Sequence, residues 1–554
     1  MQRMKIRRPL QGAALLLAVT AVTGASLAGA TGAAAAEHGH RSGQQLEPGN
    51  LLVSESVYNA SASIITPGVT VLPPGCTSDC AVATDDGSYP QVFNNVLVDP
   101  SFGVSSPVFL DQLTPSGHLV STLRVPDGSG PGRSGGDLVT SFSSKSEMAL
   151  NQSTSGSQVT FMGYQARPAQ IDVSNANTQA VIDPTNPVPG ITQRVVGQLD
   201  QQGHFSFTQT NAYGGNNGRA AILSDSHGGS ALFTAGNAGN GGNPQPDGVI
   251  EGAGLQFISP SHKPQQLQNP GDPTPLASFS IAQLGLPLDK VGKDTNFRGL
   301  TIFNNVVYTT KGSGSNGVNT VYFVDTTGKA CPNGVGLPQP GAKLPTGPLN
   351  FDPSVLQSQG LEPNNMCILE GFPTALKSKT SFPFGVWFAN STTMYVADEG
   401  NGDATFSPAT GTFSTAAAQT TAGLQKWVLA GGSWKLAYTL SSGLDLGAPY
   451  TVPGYPTGDN PATGLPWSPA TDGLRNITGQ VNRDGTVTIW GITSTVSGGG
   501  DQGADPNKLV AITDRLSATT PGTESFTTVR SAGFGQVLRG VSFTPGTGSG
   551  TNGD

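Results

Sequence analysis

The sequence predicts an all-β chain of repeated four-strand units closed into a ring, a single β-propeller of six blades. Three observations carry this: short apolar segments recur between turn signals, one kind of strand returns at intervals, and the two ends of the chain complement each other. No stretch keeps a helical period over three turns, and 76 Gly with 42 Pro supply frequent breaks. Long arrays of short strands mean a sandwich, a barrel or a propeller, and the repeat decides among them.

"RAAILSD" (219–225), "FRGLTIF" (297–303), "FGVWFAN" (384–390), "LRNITGQV" (474–481) and "LRGVSFTP" (538–545) read as one kind of strand. All but the last are followed by a second kind, "SALFTAGN", "NVVYTTKG", "TMYVADEG" and "TVTIWGITS", and then by two more. Such a unit, repeating every roughly 70 to 90 residues, is a propeller blade with long loops. "LRGVSFTP" lacks a following second strand, and "NLLVSESVY" (50–58) is a second strand without a first. Pairing strand 538–545 with strand 50–58 completes one blade and removes the open sheet edge. The blades then cover 50–125 with 538–545, 145–211, 219–282, 297–372, 384–441 and 474–531. A seventh remains open if the long first segment conceals one.

Around this 49–545 domain, residues 1–36 read as a secretory signal peptide. Arg3, Lys5, Arg7 and Arg8 precede an apolar Ala/Leu run and then Ala34-Ala35-Ala36. Arg7-Arg8 hints at twin-arginine export, although Pro9 follows, so the export route stays open. No later apolar run spans a bilayer, which makes a secreted, extracellular protein without a membrane span the expectation. Residues 37–48 and the Gly/Thr tail 546–554 are expected to be disordered. A net charge of −8 without a basic block excludes nucleic acid as partner, and a monomer is expected. The four cysteines form two local pairs, Cys76 with Cys80 and Cys331 with Cys367, expected as disulfides in an exported chain. Zinc is disfavoured because no histidine stands at ligand spacing from either pair.

"MYVADEGNGD" (394–403) is similar to the core motif of NHL-repeat propellers, and the strand plan resembles that of secreted six-bladed propellers. That group has lactonase-like, phytase-like and sugar-dehydrogenase members. The resemblance implies a fold; at motif level it covers only these ten residues and implies little about chemistry. In propellers of this kind the first strand of each blade lines the channel and starts at the face where binding loops gather. The connections expected there are long (59–105, 125–144, 166–192, 236–251, 282–296, 399–422, 441–473, 494–506), whereas those opposite are mostly two to four residues. Loop length is tolerated by stability and selected by use, so the long-loop face is the expected working face. The long loop 326–365 is the exception, and Cys331 and Cys367 would clamp it.

Arg219, Arg298, Arg475 and Arg539 each stand at the start of an expected channel strand, so the ring would bring four guanidinium groups towards one mouth. Guanidinium suits carboxylate or phosphate, and converging like charges need an anion. Either a bound ligand supplies it or nearby acids do: Asp294 for Arg298, Asp472 for Arg475, Asp225 or Glu147 for Arg219. Asp398, Asn401 and Asp403 offer hard oxygen donors on a glycine-rich loop, which would suit Ca²⁺, although "EGNGDA" is no twelve-residue calcium loop and could be an ordinary turn. Asp398, Glu399 and Asp472 are the candidate general acids and bases. The histidines fall in turns or polar loops, and "GRSGG" (132–136) lacks the strand and helix that a nucleophile elbow needs. Trp387, Tyr395, Trp427, Trp434 and Trp490 read as blade core, whereas Tyr450, Tyr455 and Trp467 lie in a proline-rich loop expected to expose them as a ligand lid. The expected function is binding of an anionic small molecule or glycan on the long-loop face, with hydrolase or lyase activity open. A non-catalytic binding or scaffold protein for a cell-wall polymer or a protein is the alternative.

Overall fold

The computed structural model describes most of residues 45–548, leaving aside chiefly 73–80, 93–103, 129–137, 172–191, 238–253, 261–273, 288–295 and 350–363. Six antiparallel sheets form a six-bladed propeller, which excludes the seven-bladed alternative. From the inside outwards, blade 1 is Gln536–Phe543, Leu51–Val57, Val108–Leu113 and Leu119–Arg124. Blade 2 is Asn151–Gln152, Gln158–Tyr164, Arg194–Asp200 and Phe205–Thr210. Blade 3 is Gly218–Ser224, Ala231–Gly236, Leu255–Ile258 and Pro275–Ala277. Blade 4 is Leu300–Phe303, Val306–Lys311, Thr320–Val324 and Met366–Leu369, with Val335–Gly336 added in parallel at its edge. Blade 5 is Pro383–Asn390, Thr393–Asp398, Gly423–Ala430 and Ser433–Leu440. Blade 6 is Ala470–Val481, Thr486–Val496, Lys508–Arg515 and Thr527–Ser531.

The strands form because both of their faces are buried. Side chains alternate across a strand, so successive residues enter successive layers between blades. Leu51 and Val53 lie in the layer between blades 6 and 1, and Leu52 in the layer between blades 1 and 2. In the same way Val386 and Phe388 face blade 4 while Trp387 and Ala389 face blade 6. Trp427, Trp434 and Trp490 are core residues, as expected. Turns on the short-loop face are tight. Asn304-Asn305 and Gly431-Gly432 are two-residue turns with positive φ at both positions, the geometry that follows the twist of a hairpin.

Closure is as expected, with the partners a residue or two displaced: Leu51 pairs with Phe543 and Val57 with Gln536, across one irregularity at Ser54/Glu55. The packed chain extends past both expected boundaries. Leu46 is fully buried and its N–H donates to the Gln201 carbonyl, so the order of the N-terminal segment begins before residue 49. At the other end, Gly546 N–H donates to the Gly156 carbonyl and Thr547 Oγ1 accepts from Gly49 N–H, so the first residues after 545 are fixed against blade 2. The signal-peptide residues 1–36 lie outside the described residues, as do Cys76 and Cys80.

Cys331 and Cys367 are joined across 36 positions of sequence and tie the 325–365 loop to the last strand of blade 4. Loop-closure entropy assigns such a bridge about 4 kcal/mol. The Cys331→Ser/Cys367→Ser variant should therefore unfold at a clearly lower denaturant midpoint than the parent, and an unchanged midpoint would show that the clamp carries no stability.

Candidate functional site

The long-loop ends of the inner strands meet at the channel mouth. Arg219 is the second residue of its strand, Arg298 precedes Leu300–Phe303, and Arg475 and Arg539 lie in the inner strands of blades 6 and 1. All four are buried, none more than 6% exposed. Three are linked. Ser146 Oγ accepts from Arg219 Nε at 2.8 Å and from Arg298 Nη1 at 2.5 Å. Glu399 Oε2 accepts from Arg475 Nε at 3.2 Å, and its Oε1 lies 4.0 Å from Arg298 Nε. Arg219 Nη1 donates to the Phe297 carbonyl at 3.0 Å and to Asn296 Oδ1, while its Nη2 makes no hydrogen bond among the described residues. Arg539 is held apart, with Nε donating to Ser56 Oγ at 3.1 Å.

The acids that balance these groups are only partly those expected. Glu399 comes from the loop leaving blade 5 and reaches two guanidinium groups on neighbouring blades. Glu147, entering blade 2, couples to Arg219 and to the fully buried Arg194. It accepts from Thr140 Oγ1 at 2.9 Å and Asn217 Nδ2 at 3.0 Å. Asp225 instead serves the opposite face, accepting from the Ser155 and Ser157 hydroxyls, and Asp294 lies outside the described residues. Burial pushes Arg219 well below the usual guanidinium range, and Arg298 pushes it further while Glu147 and Glu399 pull it back. Arg298 is lowered by burial against Glu399, with Arg475 adding to the fall. Charged groups out of water behave in this way when like charges crowd them.

The loop 398–403 is anchored rather than open. Asp398 is fully buried, and its Oδ2 accepts from Phe382 N–H (2.8 Å), Ser381 Oγ (3.0 Å) and Gln425 Nε2 (3.0 Å). Its Oδ1 accepts from Gly400 N–H at 3.0 Å. Asp403 Oδ1 accepts from Thr405 N–H and Oγ1, which hold its pKa below the ordinary value, and Asn401 Oδ1 caps Asp403 N–H. These oxygens are engaged by donors of the chain itself, the pattern of a self-capped turn. Among the described residues, the one group of three His, Cys, Asp or Glu ligands close enough to share a cation is Asp325, Cys331 and Cys367, and its two sulfurs are bonded to each other.

Glycine lets the loop lie against blade 6. A Cβ on Gly473 would sit 2.3 Å from the Asp398 carbonyl oxygen, and one on Gly400 would sit 2.4 Å from the Asp472 carboxyl carbon. Asp472 Oδ2 accepts from Gly402 N–H at 2.8 Å and its Oδ1 from Gln419 Nε2 at 2.5 Å. Of the three candidate acids, then, the structure puts Glu399 among the arginines and uses Asp398 and Asp472 to pin the loop that carries it.

The aromatic lid is a correction. Tyr455 and Trp467 are each 4% exposed, so neither offers a platform on the surface. Tyr455 OH donates to Asp505 Oδ1 at 3.1 Å, and its ring packs with Tyr58, Ile65, Val92, Val104 and Val452. Tyr450 OH donates to the Pro506 carbonyl at 2.8 Å beneath Lys508 Nζ, 3.9 Å from its ring centre. The loop instead folds over an apolar cluster shared with the 59–105 connection. The apolar residues Ile64, Ile65, Val92 and Val104 in that connection are the signal that would have indicated this.

Ser146 and Asn296 were missed. "KSEMALNQ" (145–152) enters blade 2 where four other blades present an arginine, and aligning it with those strands would have placed Ser146 and Glu147 at the mouth. Neither a family profile nor a curated protein matches the chain. Among solved structures it is similar to a phage phi92 endosialidase at 7% identity and a TM-score of 0.23. That match covers 78% of this chain and 58% of the other, less than two thirds of its length. So weak a likeness carries no functional argument, and the chain's class rests on its own six sheets: a six-bladed β-propeller. The likeness of 394–403 to NHL repeats stands as a likeness of motif alone.

Two outcomes follow from this packing. Gly473→Ala should cost roughly 1 to 3 kcal/mol, read as a fall in denaturant midpoint, because backbone opposes the new methyl group. Burial raises Asp398 to about 7 and Glu55, beside Asp111, also to about 7. A carboxyl raised in the folded state is held protonated there, so its contribution to stability is present in acid and lost as pH rises towards 7. The thermal midpoint should fall by a few degrees between pH 5 and pH 8, and Asp398→Asn should flatten that slope. A midpoint that climbs over this range would contradict the assignment.

Proposed function

We propose that this propeller is an exported binding protein whose long-loop face takes an anionic small molecule or an acidic glycan at the arginine mouth. The observation that carries the reading is Arg219: a buried guanidinium, crowded by Arg298, with one amino group unengaged among the described residues. A buried cation is costly unless paired, and an anion seated on that amino group adds to the partial pairing that Glu147 and Glu399 give. Arg298 and Arg475 stand beside it on successive sides of the channel. The basic, apolar and small-residue pattern of residues 1–36 supports export.

Hydrolase or lyase activity asks more of the same residues. Asp398 is sealed beneath the loop and Asp472 is taken up by Gly402 and Gln419, so of the three candidate acids Glu399 alone adjoins the guanidinium groups. General acid–base work on a glycosidic bond uses two carboxyls, which favours binding over turnover.

The test is thermal unfolding of the full chain with D-glucuronate, D-galacturonate and inorganic phosphate, in parent and Arg219→Gln. A ligand specific to the native state at a hundred times its Kd stabilises by about 2.7 kcal/mol. At least one anion should raise the parent's midpoint and leave the variant's unmoved. Equal shifts in both proteins, or none in the parent, would overturn the reading.

A further inference from the structure

Glu399 holds a position at the mouth that structure alone does not require of its side chain. Its backbone is already fixed from both sides: its N–H donates to the Phe382 carbonyl at 2.9 Å, and its carbonyl accepts from Ser494 Oγ at 2.5 Å. The carboxylate is bonded to Arg475, near Arg298, and acts electrostatically on Arg219. It is only 6% exposed, so its field is little screened by solvent.

Ser146 sets the geometry of what remains. By accepting from Arg219 and Arg298 together it draws the two guanidinium groups side by side, while Glu399 lies 4.0 Å from Nε of the same Arg298. An anion held by Arg219 Nη2 is therefore held by a guanidinium on which Glu399 already acts. The first charge on such a ligand is compensated by the arginines. A second is opposed by Glu399 in a poorly screened setting, and like charges at that range are a means of rejecting the wrong partner.

We propose that Glu399 is a charge selector, making the mouth specific for singly charged carboxylate ligands, such as the uronate groups of acidic sugars, over doubly charged phosphate esters. This rests on the anion-binding reading of Arg219 and adds to it the class of anion.

The test measures binding of D-glucuronate and D-glucose 6-phosphate to the full chain by titration calorimetry at low salt, at pH 5 and pH 8. The phosphate ester passes from one negative charge to two over this range, its second pKa lying near 6, while the uronate stays singly charged. The parent should bind D-glucuronate about tenfold or more tightly than D-glucose 6-phosphate at pH 8. Its affinity for the phosphate ester should recover several-fold at pH 5. Glu399→Gln should abolish both differences, and Arg219→Gln should bind neither ligand. If the parent binds both ligands equally at both pH values and Arg219→Gln binds neither, the anion site stands and the selector is overturned. If no protein binds either ligand, the anion site itself fails and the selector with it. Should Glu399→Gln not fold, the pH comparison in the parent decides alone.

Discussion

The ladder between Leu51–Val57 and Gln536–Phe543 is the constraint on which the rest depends. It joins the two ends of the chain into one blade, and the six layers between blades can be filled on both faces only once the ring is shut. Leu538, Val541 and Phe543 then complete the layer against Trp490 and Ile492 of blade 6. Near that seam Arg530 of blade 6 bonds Asp111 Oδ2 at 2.6 Å and reaches Glu55 Oε2 at 3.5 Å, both on blade 1. Closure also dictates the site. It turns the entrance of every inner strand towards one channel, so residues separated by up to some four hundred positions become neighbours.

A propeller mouth built this way concentrates whatever its strand entrances carry. Here that is arginine on four blades, serine and glutamate on a fifth, and a loop glutamate supplied by the sixth. Burial makes the arrangement expensive for every cation in it, and Glu399 and Glu147 offset part of that cost. The loop 398–403 exists in this form because its glycines allow backbone to touch backbone on blade 6, which fixes the point from which Glu399 reaches across. The motif-like stretch is thus pinned through its own Asp398 and through Asp472 of blade 6, and reaches the arginines through a single side chain, Glu399.

How much of this could be read in the sequence follows from the range of each interaction. Strand repeats and complementary ends are patterns within one chain, so the six blades, the closing pair and the arginine positions were legible. Which acid meets which arginine was not: Glu399 lies next to Asp398 and four residues from Asp403, which face other partners, and register across blades decides the outcome. The burial of Tyr455 depended on a second long loop folding beside its own, and the apolar residues of that loop signal a buried partner without saying which one. Asp398 looked like a ligand because carboxylates beside glycines serve both cations and turns, and only the four donors around it separate the two cases.

The same molecule supplies a comparison for the mouth. Between blades 5 and 6, Lys426 and Asp514 are both fully buried. Lys426 Nζ lies 3.0 Å from Asp514 Oδ2 and donates to Tyr438 OH at 3.0 Å and to the Arg515 carbonyl at 2.7 Å. Asp514 in turn accepts from Tyr395 OH at 2.5 Å and Tyr438 OH at 2.8 Å. One cation, one anion and two hydroxyls close on themselves, as buried charge must where it serves only the fold. The fold can therefore match a buried charge completely, and does so one blade away. At the mouth Glu399 bonds Arg475 and lies near Arg298, Glu147 and Glu399 both act on Arg219, and Arg219 Nη2 is left without a hydrogen bond among the described residues. Local departures from a rule that the rest of a structure obeys concentrate where function is carried, and among the buried charges described the mouth is where this structure departs from it.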